Sequence, residues 1–232
     1  MINTAYFDYF ISSVWGASVA SFLCCLAEHP LSSLYRLSVC DGCGQNLHVR
    51  QLIPIFSSFC QIPCSCGHRP LLSYSVKELI LALVFLINTL LFGFRTPGFL
   101  LDCLAMVGFY ISLVDWKTKT IPIFPLMVVG FLGGVWAYDK TQIPWAALVV
   151  LLPLIIIPKR QNRLGSGDLI LFVFATFWLK LEALSLFLFL TGFGGIITAW
   201  IYQGKLTFSR TPFPFAPAIF IALWLTLLVY NN

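Results

Sequence analysis

Two aspartates lie at the edges of long apolar runs, where together they could carry out acid–base chemistry. Asp115 ends one run and precedes Trp116-Lys117-Thr118-Lys119, and Asp168 closes the motif Gly165-Ser166-Gly167-Asp168 before another run. If the two carboxylates face each other, repulsion between like charges leaves one proton between them. One acid could then activate water while the other polarises a carbonyl group, which is the chemistry of peptide hydrolysis.

The alternative is that each aspartate is a solvated residue at a helix end. Both acids, however, lie within stretches that interrupt regular helix, because Pro122 follows the first while Gly165 and Gly167 precede the second. Glycines let a backbone or a substrate approach an acid closely, and free N–H groups at a helix start can hold a carboxylate. Ionisable residues at the edge of a membrane span are costly, so they point to function.

The composition places these acids in a membrane protein. Hydrophobic residues make up 59% of the 232 residues and charged residues 10%, more apolar surface than a soluble core of this size can bury. A helical span needs about 20 mostly apolar residues. The apolar runs predict spans near 5–26, 78–94, 97–114, 122–138, 143–158, 168–179, 182–203 and 214–230, of which the sixth is short.

The predicted fold class is all-α: a polytopic membrane protein with about eight transmembrane helices and a small cytoplasmic zinc-binding loop domain. Three segments follow along the chain, namely a first transmembrane helix at 1–26, a cytoplasmic Cys-rich segment at 27–77 and a transmembrane core at 78–232. The three prolines at 212, 214 and 217 predict a break in regular helix where the last span begins.

Basic residues predict the orientation of the chain. With the N-terminus outside, the inner loops hold eleven Lys and Arg residues and the outer loops hold three: Arg95, Lys140 and Lys180. Positively charged residues favour the cytoplasmic side, so both aspartates are expected at the cytoplasmic face of the membrane. The net charge of +5 therefore reflects membrane orientation, and its dispersal argues against nucleic-acid binding.

Five of the eight cysteines lie in the polar segment 27–77. Cys40-Asp41-Gly42-Cys43 and Cys64-Ser65-Cys66-Gly67 form two thiol pairs about twenty residues apart, as in a structural zinc site with four sulfur ligands. A reducing cytoplasm disfavours disulfides. Because the second pair is shortened to CxC, Cys60 is an alternative ligand, whereas His48 and His68 are more simply explained as solvated loop residues.

Other conspicuous residues have more than one explanation. Glu78 begins the second predicted span, where an anion either caps the helix or lines a site. Asp102, in the outer part of the third span, is expected to be structural. The glycines at 192, 194 and 195 are expected to permit close helix packing, since no strand precedes them as a phosphate-binding loop would need.

Taken together and in order, these motifs resemble those of the type IV prepilin peptidases, members of the GxGD class of membrane aspartyl proteases. The matching segments are Ser21-Phe22-Leu23, the thiol pairs, Tyr74 to Glu78, Asp115 with Ile121-Pro122, Gly165 to Asp168 and Phe213-Pro214-Phe215. One departure is Ile170, which stands where the family has a lysine.

The resemblance implies an enzyme of the bacterial cytoplasmic membrane. Asp115 and Asp168 would remove the short basic leader of type IV prepilin or pseudopilin precursors, and Cys40, Cys43, Cys64 and Cys66 would hold structural zinc. The family often also methylates the new N-terminus with S-adenosylmethionine. A site for that donor is expected between the zinc segment and the inner span ends, where Glu78, Tyr74 and Arg69 are candidate lining groups.

Two other functions remain as alternatives. A transporter or channel could use intramembrane acids as ion sites, but it should show paired broken helices near the middle of the bilayer, often in repeated halves. The sequence shows no convincing repeat. The second alternative is an inactive scaffold for pilus assembly, which a cleavage assay would distinguish from a peptidase.

Overall fold

All regular structure in the described part of the chain is helical, in agreement with the predicted class. The structure is a computed structural model, and it describes residues 2–28, 40, 43–46, 48, 53–56, 60, 62–69, 72–139, 165–203 and 213–230. The α-helices are α1 (Ile2–Glu28), α2 (Leu72–Phe92), α3 (Thr96–Thr118), α4 (Ile123–Asp139), α5 (Ser166–Thr176), α6 (Leu184–Gln203) and α7 (Ala216–Tyr230). A short 3-10 helix, Leu181–Ala183, leads into α6.

Four helical segments are long and apolar enough to cross a membrane: Tyr6–Glu28, Leu72–Phe92, Thr96–Thr118 and Leu181–Gln203. Shorter apolar helices occupy three more predicted spans: Ile123–Tyr138, Gly167–Thr176 and Ala216–Tyr230. The 11 residues of α5 cover only about 17 Å, less than the hydrocarbon thickness of roughly 30 Å. Eight full spans are therefore not confirmed, and the span predicted at 143–158 lies outside the described residues.

The chain forms two compact units, Met1–Phe94 and Arg95–Asn232. In the first unit α1 packs along α2. A Cβ on Gly16 would lie 2.9 Å from the carbonyl oxygen of Leu81, so a glycine is needed for this close approach. The Ser12 hydroxyl donates to the Phe85 carbonyl at 3.1 Å, which satisfies a polar group inside an apolar interface.

The second predicted span starts earlier than expected. Its helix, α2, begins at Leu72, so Glu78 lies in the second turn and cannot cap the helix start, which corrects that interpretation. The first turns contain polar residues that lower the local hydropathy. They are helical because they pack against α1, where the Tyr74 hydroxyl donates to the carboxylate of Glu28.

In the second unit α7 contacts α3, α5 and α6, and α4 contacts α3 and α5. Glycines on α6 permit the close approach of α7. A Cβ on Gly195 would lie 2.6 Å from the ring of Phe215, and one on Gly194 would lie 3.3 Å from Cβ of Ala218. The packing role predicted for these two glycines is confirmed. For Gly192 no such contact is seen among the described residues, since none of their atoms lies within 4 Å of a Cβ built there.

The predicted break before the last helix is also confirmed. Residues 213–215 are not helical, and α7 begins at Ala216. Pro217 occupies the second position of the helix, where a missing N–H removes no intrahelical hydrogen bond. The N–H of Ala216 likewise has no intrahelical partner, so it can bind a side chain.

Candidate active site and thiol cluster

Asp115 lies in the last turn of α3 and is buried, with 4% of its surface exposed. Its Oδ2 accepts a hydrogen bond of 3.0 Å from the backbone N–H of Ala216, the first residue of α7. The start of a helix carries unpaired N–H groups and the positive end of the helix dipole, both of which favour an anion. The break before α7 therefore supplies the binding partner of this carboxylate.

Asp168 is the third residue of α5 and is partly buried. The backbone N–H of Gly165, the residue just before the helix, donates to its carboxylate, as in the acid of a capping box. A Cβ on Gly165 would lie 3.1 Å from Oδ2 of Asp168, so a larger residue there would crowd the carboxylate. The glycine leaves space for the acid to fold back over the helix start.

The two aspartate motifs pack against each other. A Cβ on Gly167 would lie 3.1 Å from Cβ of Ile121, a residue that follows the end of α3. The two carboxylates are close enough to act on each other electrostatically. Asp102, by contrast, lies on α3 about 20 Å along the helix axis from Asp115 and is partly buried. The structure thus brings together the two acids that the sequence singled out.

Two further side chains at this site were missed by the sequence reasoning. Lys119 was counted only as a topology charge, yet its Nζ donates to the carbonyl of Trp116 and its charge acts on the Asp115 carboxylate. Tyr202 of α6 lies against Lys119, with the Nζ 4.3 Å from the ring centre. The only signal in the sequence was that Lys119 lies four residues after Asp115.

The four thiols of the two predicted pairs converge in the first unit. Sγ of Cys40 lies 3.7 Å from Sγ of Cys66, Sγ of Cys43 lies 3.8 Å from Sγ of Cys64, and all four sulfurs lie within 4.8 Å of one another. A tetrahedron of sulfurs about 2.3 Å from zinc has edges of about 3.8 Å, whereas a disulfide needs about 2.05 Å. These residues therefore fit a structural zinc ion.

The shortened CxC pair forms a tight turn. The Gly67 N–H donates to the carbonyl of Cys64 at 2.8 Å, and Gly67 has a φ of 84°, which a glycine adopts without strain. The Ser65 hydroxyl donates to the Gln45 side chain at 2.8 Å and joins the two turns. The backbone N–H of Cys66, together with the hydroxyl of Ser65, lowers the pKa of Cys64 to about 6.

The alternative ligands are not part of this cluster. Among the described residues, the converging group consists of the four paired cysteines, without Cys60 and without His48 or His68. Cys60 is exposed, and its backbone N–H donates to the carbonyl of Phe56 at 2.9 Å. The geometry therefore favours the two pairs as the ligand set.

Glu78 holds the loop between the two cysteine pairs. It is buried, with 4% of its surface exposed, and its carboxylate accepts hydrogen bonds from the Ile55 N–H and the Ser21 hydroxyl. The Ser75 hydroxyl lies 3.4 Å from the Ile55 carbonyl oxygen. Ile55 has a φ of 62°, which is strained for a β-branched residue. The hydrogen bonds of the two serines could not be predicted from the sequence, since they depend on where Glu78 and Ile55 meet in the fold.

The other predicted cofactor-lining groups also make contacts within the first unit. The Tyr74 hydroxyl donates to Glu28, and the Nζ of Lys77 lies 5.0 Å from the centre of the Tyr74 ring. A cation over that ring does not suit the binding of a sulfonium ion on the same face. Arg69 is exposed.

Comparison with known proteins relates these features to a family. The sequence model of the type IV leader peptidase family matches residues 103–200, and that of the bacterial peptidase A24 N-terminal domain matches residues 14–92. The first range contains Asp115 and Asp168, and the second contains all four converging cysteines and Glu78.

The chain is also similar to a characterised protein along most of its length. It is 28% identical over 220 residues to the prepilin leader peptidase/N-methyltransferase of Bacillus subtilis (strain 168), covering 89% of this chain and 88% of the relative. No solved structure matches the chain. Because the matched regions together take in both aspartate motifs and the thiol cluster, the chain belongs to the type IV leader peptidase family.

Proposed function

We propose that this protein is a membrane-embedded aspartyl endopeptidase that removes the short basic leader of type IV prepilin or pseudopilin precursors. The observation that carries the proposal is the packing of Ile121 against Gly167, which brings together the segments that hold Asp115 and Asp168. Family membership and the Bacillus subtilis relative support cleavage of leader peptides as the reaction.

The two carboxylates would divide the acid and base roles between them. The ionised one takes a proton from water, and the resulting hydroxide attacks the scissile carbonyl carbon while the protonated one donates its proton to the carbonyl oxygen. The tetrahedral intermediate then breaks its C–N bond: the amine leaves with a proton from the first acid, and a hydroxyl group of the intermediate returns a proton to the second acid. The products are a leader with a new carboxyl group and a mature protein with a free N-terminal amine.

The site is proposed to face the cytoplasm in the bacterial inner membrane, with the N-terminus outside. The asymmetry of basic residues, eleven predicted on the inner side of the membrane against three on the outer side, supports this orientation. The substrate would be a helical precursor whose apolar segment lies beside the spans. Its basic leader would then remain on the side where the peptidase acts.

Cys40, Cys43, Cys64 and Cys66 would hold a structural zinc ion. Bound zinc supplies a cross-link between the two cysteine turns, which a segment of about fifty residues with few apolar anchors needs in order to fold. No step of peptide hydrolysis requires this metal, because both aspartates lie on other elements.

N-methylation of the mature N-terminus is a second proposed activity, which the name of the relative supports. The predicted assignment of Glu78 and Tyr74 to the site for S-adenosylmethionine remains a prediction. Glu78 binds Ile55 and Ser21, and Tyr74 is engaged by Glu28 and Lys77. These side chains therefore do not fit a donor site without rearrangement, and no methyl-transfer step is assigned to them.

The test is to incubate the purified full-length protein in lipid with a candidate prepilin precursor and to determine the mass of the product. Loss of the leader supports the peptidase, and a further increase by one methyl group with the methyl donor present supports the second activity. Asp115→Asn and Asp168→Asn are each expected to abolish cleavage. An intact precursor with every active-site residue present would favour an inactive scaffold.

A further inference from the structure

Lys119 is held at the end of α3 through both its backbone and its side chain. Its backbone is left-handed, with a φ of 58°, and its N–H donates to the Asp115 carbonyl at 2.9 Å. Its Nζ donates to the Trp116 carbonyl and lies 3.5 Å from the carbonyl oxygen of Asp115. Positive φ is uncommon outside glycine, so the surrounding contacts help to keep this conformation.

Tyr202 of α6 contacts the same ammonium group. The Nζ of Lys119 lies 4.3 Å from the centre of the Tyr202 ring, and the Trp116 ring meets the Tyr202 ring edge-on with centroids 5.7 Å apart. A cation over an aromatic face is attracted to it. The positive charge of Lys119 therefore has a defined position between two helices of the second unit.

This charge acts on the Asp115 carboxylate. The other groups that act on the carboxylate are the Asp168 carboxylate from α5 and the backbone N–H groups of Phe215 and Ala216 at the start of α7. The α7 sequence contains no charged residue, and the single charged residue of α4 is Asp139 at its far end. Within the described residues, Lys119 is thus the cation that acts on this carboxylate.

A lysine at the end of a helix also interacts with the last carbonyl groups and with the helix dipole. A lysine can make these interactions at any exposed helix end, without an aromatic ring from a neighbouring helix. Lys117, which is exposed in the same turn, meets the requirement for a basic residue near the dipole. The contacts of Lys119 with Tyr202 and with the Asp115 segment therefore call for a further explanation.

We propose that Lys119 is a positioning residue of the peptidase, whose fixed positive charge helps the Asp115–Asp168 pair to lose its first proton and so to reach the form that carries a single negative charge. The proposal rests on the proposed peptidase function. A nearby cation makes carboxylates easier to ionise. Removing it makes the carboxylate pair as a whole harder to ionise, so both limbs of a bell-shaped pH–rate profile move in the alkaline direction.

The test compares Lys119→Met, which removes the charge and keeps the apolar stem, with Lys119→Arg, which keeps the charge. Lys117→Met is the matched control in the same turn. Cleavage of one precursor is measured from acid to alkaline pH for each variant in lipid. For Lys119→Met we expect both limbs of the kcat profile to shift upward by roughly 0.5 to 1 pH unit, with little change in KM. Lys119→Arg and Lys117→Met should keep the wild-type profile.

A second variant distinguishes an effect of the Lys119 charge from loss of activity through misfolding. Tyr202→Leu removes the ring beside the ammonium group without altering a charge, and it should give a smaller shift in the same direction. An unchanged profile for Lys119→Met overturns the proposal, as does a loss of activity at every pH that Lys119→Arg does not rescue. A different result would contradict the peptidase proposal itself, namely cleavage of the precursor by Asp115→Asn and by Asp168→Asn.

Discussion

Oδ2 of Asp115 accepts a hydrogen bond from the backbone N–H of Ala216 at 3.0 Å, across 101 residues of the chain. This bond joins the end of α3 to the start of α7. It exists because the prolines delay the start of α7 and leave an N–H that no helical carbonyl can reach. The carboxylate thus has a structural role as well as its proposed chemical role, and substitutions can separate the two.

Asp115→Asn should abolish cleavage but leave the fold close to wild type, because the side-chain amide oxygen still accepts the Ala216 N–H. Asp115→Ala should also lower the free energy of unfolding by about 1–3 kcal/mol, since the buried N–H loses its acceptor. Cleavage assays and unfolding in mixed micelles measure the two effects. Asp102→Asn, on the same helix, is the control and should retain cleavage. Near-normal cleavage by Asp115→Asn would contradict the proposed catalytic role of the two carboxylates.

Gly167→Ala should lower cleavage by about tenfold or more. The added Cβ would lie 3.1 Å from Cβ of Ile121, so the two motifs must move apart, and small displacements of reacting groups are costly. Gly192→Ala is the matched control, because no described atom lies within 4 Å of the added Cβ. The relevant measurement is kcat for both variants at equal membrane expression. Equal rates for the two variants would contradict the packing argument.

Zinc analysis of the intact protein should find about one ion per chain. Serine at position 40, 43, 64 or 66 should abolish retention of zinc, whereas Cys60→Ser should keep it because Cys60 lies outside the converging group. The lowered pKa of Cys64, about 6, makes it a thiolate above that value. Zinc binding requires all four thiols to lose their protons, so protons compete with zinc and uptake should weaken as the pH falls. Loss of zinc from Cys60→Ser alone would require a different ligand set.

Glu78→Ala should make the segment 27–77 more sensitive to proteolysis. The substitution removes the acceptor for the Ile55 N–H, and the strained backbone of Ile55, which costs about 1–3 kcal/mol, then loses part of its support. Glu78→Gln keeps an acceptor and serves as the control. Rates of limited proteolysis and zinc retention should separate the two variants. Equal proteolysis rates would show that Glu78 does not anchor this loop.

Single cysteines in a thiol-free background should report the orientation. Cysteines introduced at positions 48, 118 and 162 should resist an impermeant thiol reagent added from outside, whereas cysteines introduced at positions 96 and 140 should react. The expectation follows from the distribution of basic residues between the loops. A reversed pattern would put the aspartates on the wrong face for a peptidase of the cytoplasmic side.

The sequence by itself determined the features that depend on local chemistry. Apolar runs predicted where the described helices lie, because hydropathy and helical rise are properties of a short segment. The two aspartates, the paired thiols and the prolines before α7 were recognisable because their chemistry or backbone preference is intrinsic to the residue type. Their order along the chain was also enough to show the resemblance to the family.

Only the tertiary structure decided which of these residues meet, since contacts between distant segments leave no local pattern. It showed that Glu78 binds Ile55 instead of capping a helix, because α2 begins at Leu72 through packing against α1. It excluded Cys60 from the thiol cluster, because the turn at Gly67 lets the shortened pair converge. Lys119 was one of fourteen basic residues in the sequence, and its place beside Asp115 and Tyr202 depends on how α3 ends and on where α6 lies.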